Sequence, residues 1–112
     1  MDSTRQNKVS RLLQKELGEL FQRESGNLFN KAFITVTTVR VSADLSVAKV
    51  YLSIMVEKDR EPSMKLIKAQ SKEIRKRIGD RIKQQVRIIP NFEFFIDDSL
   101  DYAMKIESLL KK

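Results

Sequence analysis

Val9, Leu12, Leu13, Leu17, Leu20 and Phe21 recur at helical spacing near the start of the chain. Ser3, followed three residues later by Gln6, offers a capping box ahead of them. The pattern predicts a helix over residues 4–24, broken at Ser25-Gly26-Asn27 and followed by a loop to Lys31. In residues 33–42 β-branched side chains follow almost without interruption, which favours a strand. Ile34 and Val36 share one parity, whereas Val39 and Val41 share the other. A bulge near Thr37-Thr38 would bring all four to one buried face. After a turn at Ser42-Ala43-Asp44-Leu45-Ser46, residues 47–56 alternate cleanly, with Ala48, Val50, Leu52, Ile54 and Val56 on one side. The opposite side, Lys49, Tyr51, Ser53 and Met55, is mixed and expected to be wet, and the two strands are expected to form an antiparallel hairpin.

A charged loop over 57–61 leads to Pro62, well placed as a first helical residue. Ile67, Ser71, Ile74, Ile78 and Ile82 then trace an apolar stripe along a long or broken helix. Phe92, Phe94 and Ile96 alternate in a third strand read over 86–96, where Pro90 implies an edge position or a bulge. Asp98 or Ser99 can cap a last amphipathic helix at about 99–110. Helices and a short sheet in this order predict an α+β architecture, one domain over residues 1–112, with the helices covering one face of the sheet.

Charge sharpens the picture. The formal net charge of the chain is +7. Residues 60–89 alone hold ten Lys or Arg against Glu61, Glu73 and Asp80, so the excess is local. A local cationic surface on a small domain is what holding a polyanion requires. On the side opposite the apolar stripe lie Lys65, Lys68, Lys72, Lys76 and Lys83, flanked by Arg75, Arg77 and Arg81. These eight form a candidate phosphate-contacting surface. A solvated face that merely keeps the protein soluble is the alternative, but such a face usually mixes signs. The three arginines cannot all point one way on a helix, so some must serve as packing stems or ion-pair partners. Arg5, Lys8, Arg11 and Lys15 make a second, shorter stripe on the first helix, with a Lys15–Glu19 pair as its ordinary explanation.

Composition narrows the chemistry. The chain has no cysteine and no histidine, which removes disulfides, thiolate zinc sites, thiol nucleophiles and the commonest general base. No run approaches a membrane span, and the first seven residues carry no signal-peptide core. A cytoplasmic, non-enzymatic protein with neither cofactor nor metal is expected. Asp97, Asp98 and Asp101 could be imagined as a magnesium cluster, but capping of the last helix explains them more simply. Asp44 reads as a turn residue whose carboxylate caps neighbouring amides. Tyr51 could stack on bases if the outer sheet face is open, and Lys49 projects from the same face.

The run Val39-Arg40-Val41-Ser42-Ala43-Asp44-Leu45-Ser46-Val47-Ala48-Lys49-Val50-Tyr51 resembles the hairpin signature of the bacterial ribosome-binding factor A family. Arg87-Ile88-Ile89-Pro90-Asn91-Phe92-Glu93-Phe94, leading into Asp97-Asp98-Ser99-Leu100, resembles that family's last strand. The resemblance implies a type II KH-like domain, α-β-β-α-α-β, with helices packed on one face of a three-stranded sheet. It also implies a non-enzymatic factor that binds the immature small ribosomal subunit and its ribosomal RNA in the cytoplasm and assists late rRNA processing. No membrane or small-molecule substrate enters this reading, and a monomer is expected. KH domains that grip single strands use a Gly-x-x-Gly loop, and this family has an Ala-x-Gly kink there; here the place reads Ala69-Gln70-Ser71-Lys72, without glycine. Lys and Arg side chains, rather than backbone, are therefore expected to hold RNA. The rival reading is a protein-interaction module that recognises an acidic partner or pairs through a sheet edge.

Overall fold

The computed structural model describes residues 3–29 and 31–97. Helix α1 spans Thr4–Arg23, and its start is the expected capping box: the Ser3 hydroxyl accepts from the Gln6 amide at 3.1 Å while the Ser3 amide donates to Gln6 Oε1 at 2.8 Å. The break read at Ser25-Gly26-Asn27 is instead a single extra turn, α2 (Ser25–Leu28). It carries Phe29 back onto Phe21, with ring centroids 4.8 Å apart, and burial of that pair explains why the chain coils here.

Strands β1 (Ile34–Val41) and β2 (Val47–Ile54) form the antiparallel hairpin. Its register slips between Val36 and Thr38, so Ile34, Val36, Val39 and Val41 are all buried. The bulge carbonyl of Thr37 does not go without a partner: Gln14 Nε2 of α1 donates to it at 3.3 Å. β2 stops at Ile54, two residues earlier than expected, and Val56 is 42% exposed rather than on the buried face. The reason is a 3-10 turn over Glu57–Asp59, which turns the chain away from the sheet before Val56 can pair.

α3 (Arg60–Ala69) and α4 (Ser71–Ile82) follow. Pro62 is the third helical residue rather than the first, still within the turn whose N–H groups lack intrahelical acceptors. The helix breaks at Gln70 although no glycine is present. Gln70 has φ −101° and ψ 13°, a conformation open to any L-residue, and its amide lies 3.1 Å and 3.2 Å from the Leu66 and Ile67 carbonyls. A kink of this kind needs no positive φ, and so no glycine. The apolar stripe is as read, with Ile67, Ile74, Ile78 and Ile82 fully buried and Ser71 half-buried.

β3 is shorter than its apolar run, Asn91–Ile96, and pairs with β2 in parallel, giving the sheet order β1-β2-β3 with β2 central. The run 86–90 stays out of the sheet: Pro90 offers no N–H to a ladder, and Arg75 holds the Ile89 and Pro90 carbonyls. Phe92 and Phe94 are buried as expected, while Ile96 is half-buried. The core gathers α1, the inner sheet face and the isoleucine stripe of α3 and α4 into one cluster, so the sheet is covered from one side. The last helix expected at about 99–110, with Asp98, Ser99 and Asp101, lies outside the described residues.

Candidate nucleic-acid interface

With Ile74, Ile78 and Ile82 driven into the core, the helical period forces Lys72, Lys76 and Lys83 outward along one line, and all three are exposed. Lys65 and Lys68 are exposed on α3, Lys65 lying 3.8 Å from Glu61 one turn earlier. Lys68 looks toward β3, beside Ser71 and Phe95, away from the α4 line.

The three arginines divide from the lysines. Arg75 spends its fork on main chain, Nη2 donating to the Ile89 carbonyl at 2.7 Å and Nε to the Pro90 carbonyl at 3.1 Å. Arg77 donates to Glu73 at 3.0 Å and reaches Glu24 at 3.3 Å. Arg81 donates to the buried Glu16 at 2.6 Å and lies 3.6 Å from Glu19. The hydrogen bond to Glu73, with the Glu24 and Glu73 charges, raises the Arg77 pKa; the bond to Glu16, with the Glu16 and Glu19 charges, does the same for Arg81. Arg77 and Arg81 thereby fasten α4 to the α1 side of the molecule. Glu19 faces Arg81, and among the described residues Lys15 has no ion-pair partner.

Arg5, Lys8, Arg11 and Lys15 are exposed along α1. Arg5 and Lys8 border a cleft of about 340 Å³ whose far wall is the loop after α4, where Arg87 stands. A shallower groove on the other side of that loop includes Lys76, Lys83 and the same Arg87, with the exposed Asp80 among them. Arg87 thus joins the two stripes that the sequence shows as separate, a role hidden while it is read as part of a strand. The signal was its place among the ten cations of 60–89.

On the outer sheet face, Arg40 sits opposite Lys49 in the antiparallel pair, and Glu93 lies beside Lys49 in the parallel one. Tyr51 stacks on Phe95 with centroids 5.4 Å apart and planes 27° apart. In the hairpin turn, Asp44 Oδ1 accepts from Ser46 Oγ and Ser42 Oγ at 2.7 Å each and from the Ser46 amide at 3.1 Å. These bonds, that from the Ser46 hydroxyl foremost, lower its pKa from 3.8 to about 2. Asp97 Oδ2 accepts from Thr37 Oγ1 at 2.6 Å, beneath the bulge. Among the described residues no group of three or more carboxylates gathers to hold a metal ion, and no helix is long and apolar enough to cross a membrane.

A helix, a hairpin, a helix pair broken at Gln70 and a parallel closing strand define a type II KH-like α+β protein with a lysine-lined outer helix face. The solved structures it resembles share that fold. The crystal structure of ribosome-binding factor A from Thermus thermophilus aligns with a TM-score of 0.67 at 23% identity, over 81% of this chain and 94% of that one. The solution structure of a putative ribosome binding factor A from Thermotoga maritima gives a TM-score of 0.64 at 22% identity, over 85% and 89%. A Thermus thermophilus homology model fitted into a cryo-EM map of a 30S complex gives 0.60 at 24%, over 78% and 93%. The family described as ribosome-binding factor A matches residues 5–110. Ribosome-binding factor A of Cytophaga hutchinsonii is 51% identical over 112 residues, all of this chain and 84% of that protein. The Flavobacterium johnsoniae protein of the same name is 40% identical over 111 residues, 98% of this chain and 85% of its own length. The chain belongs to the ribosome-binding factor A family.

Proposed function

We propose that this protein is a non-enzymatic maturation factor that docks on the immature small ribosomal subunit in the cytoplasm, as a single-domain monomer, and grips its ribosomal RNA. The observation that carries the reading is the run of exposed cations from Lys72 through Lys76 and Lys83 to Arg87, continued across the cleft by Lys8 and Arg5. No carboxylate partner consumes these six among the described residues, whereas Arg77 and Arg81 are held by Glu24, Glu73, Glu16 and Glu19. Arg11 and Lys15 extend the surface along α1, while Lys65 and Lys68 are exposed on α3 apart from that line. The fitted 30S complex of the Thermus thermophilus relative supports a small-subunit partner. Phosphate contacts of this kind position a protein on RNA shape rather than on a linear sequence. Assistance to rRNA processing then consists of favouring one RNA conformation, limited by the differential affinity for the two.

The test is a salt titration of binding to small-subunit ribosomal RNA. Counterion release makes log affinity fall with log salt, at ~0.7 to 0.9 per neutralised phosphate. Replacing Lys72, Lys76 and Lys83 together with Gln is expected to weaken binding and reduce that slope by about 2, with the thermal midpoint nearly unchanged. A flat salt response in the natural protein would favour an acidic protein partner instead.

A further inference from the structure

The cleft between the start of α1 and the loop after α4 is deeper and more apolar than the neighbouring groove of the cationic surface. Val9 and Leu45 are buried at its base, and Leu12 and Val86 are half-buried there. Ile88 stands at its edge, 47% exposed, on the loop that separates this cleft from the shallower groove. Arg5, Lys8 and Arg87 are the charged residues that border it, and among the described residues no carboxylate does. Asp44, next to Leu45 in sequence, is committed to Ser42 and Ser46.

A plain phosphate-binding surface has no use for an apolar cavity, because a duplex presents only its backbone to it. An unpaired nucleotide needs both parts. Its base has flat apolar faces that gain by leaving water, and the phosphates on either side carry charge that must be met at once. A volume of about 340 Å³ is at the small end of ligand cavities, in keeping with one such unit rather than a paired segment. The three cations surround the apolar base on both walls, Arg5 and Lys8 from α1 and Arg87 from the loop, as the phosphates flanking one splayed-out nucleotide would require.

We infer that this cleft receives a single unpaired nucleotide of the bound RNA, its base against Leu12, Val86 and Ile88 and its flanking phosphates on Arg5, Lys8 and Arg87. The inference rests on the RNA-binding reading above and deepens it: the lysines of α4 hold paired backbone, and the cleft adds a preference for a bulge or a single-stranded junction.

Two labelled RNA hairpins test it, identical except for one unpaired nucleotide in the stem of the first. The natural protein is expected to bind the bulged hairpin about tenfold more tightly, the scale of withdrawing part of one base's apolar surface from water against aliphatic side chains. Ile88→Ser, at an exposed position, and Leu12→Ser, at a half-buried one on the cleft wall, are each expected to remove that preference while keeping affinity for the plain stem. Thermal unfolding of both variants confirms that they are folded. Replacing Lys72 and Lys76 with Gln is expected to weaken both hairpins equally and preserve the ratio. An equal affinity of the natural protein for the two hairpins, or a preference that survives in both cleft variants, overturns the inference while leaving the RNA reading intact. Binding to neither hairpin overturns both. If the cleft variants weaken binding to immature small subunits but leave the hairpin ratio unchanged, the occupant is a protein segment and the inference fails.

Discussion

Leu45 stands at φ 63°, a left-handed conformation that costs a residue with a Cβ about 1–2 kcal/mol. It persists because both of its neighbours are fixed. Its own amide donates to the Ser42 carbonyl at 2.9 Å, and Asp44 holds Ser42 and Ser46 on either side. Burial of the Leu45 side chain then offsets the strain. Since folding lowers the Asp44 pKa from 3.8 to about 2, the carboxylate contributes stability above pH 4 and that contribution is withdrawn as pH falls through 2. In Asp44→Asn the group no longer titrates. The variant is therefore expected to be less stable than the natural protein at neutral pH, with the gap between their thermal midpoints closing between pH 4 and 2. A gap that stays constant through that window would show that the turn does not depend on the charge.

Among the elements, the loop between α4 and β3 packs Val86 and Ile89 on the core and is tied to α4 by one polar side chain. Arg75 closes it with two charge-assisted bonds, to the Ile89 and Pro90 carbonyls, just before the chain enters the sheet. Arg75→Gln is expected to cost about 1–3 kcal/mol and so to lower the thermal midpoint by several degrees, whereas Lys72→Gln, one turn away on the same helix, leaves it in place. Differential scanning calorimetry of the two variants separates a structural arginine from a free lysine. The sequence could not make this distinction. Local signals were legible: the Ser3–Gln6 box, the parity slip at Thr37-Thr38, the isoleucine stripe and the turn role of Asp44 all depend on residues within a few positions of one another. What Arg75 bonds to depends on where residues 89 and 90 are delivered by tertiary structure. The early end of β2, which left Val56 exposed, likewise follows from a turn that propensity alone does not specify. The cationic face was readable as a helix face, and so was the need for some arginines to serve as stems or ion-pair partners; which of them, and to which groups, was not.

At the scale of the whole molecule, Arg81 and Arg77 connect segments far apart in sequence, Arg81 meeting a Glu16 that α1 has carried into the interior. Removing the cation strands that carboxylate, which is costlier than never having buried it. Arg81→Gln is expected to lower the thermal midpoint yet leave the salt slope of RNA binding as it was, because this guanidinium is already neutralised by protein. A reduced slope would place Arg81 among the phosphate contacts after all. The same geometry explains how the sequence can show eight cations along one stretch while the folded protein offers fewer to a polyanion.

The parallel pairing of β3 with β2 has a further consequence, for the chain as it is being made. β1 and β2 can close on each other as soon as both have left the exit tunnel, but the second edge of β2 must wait for two helices and a loop to be synthesised before Asn91–Ile96 arrives. Until then Val47–Ile54 offers unsatisfied main-chain groups along one side, a template for any extended neighbour. A translation product cut short before residue 91 would keep that edge permanently bare, and would be sticky rather than merely inactive.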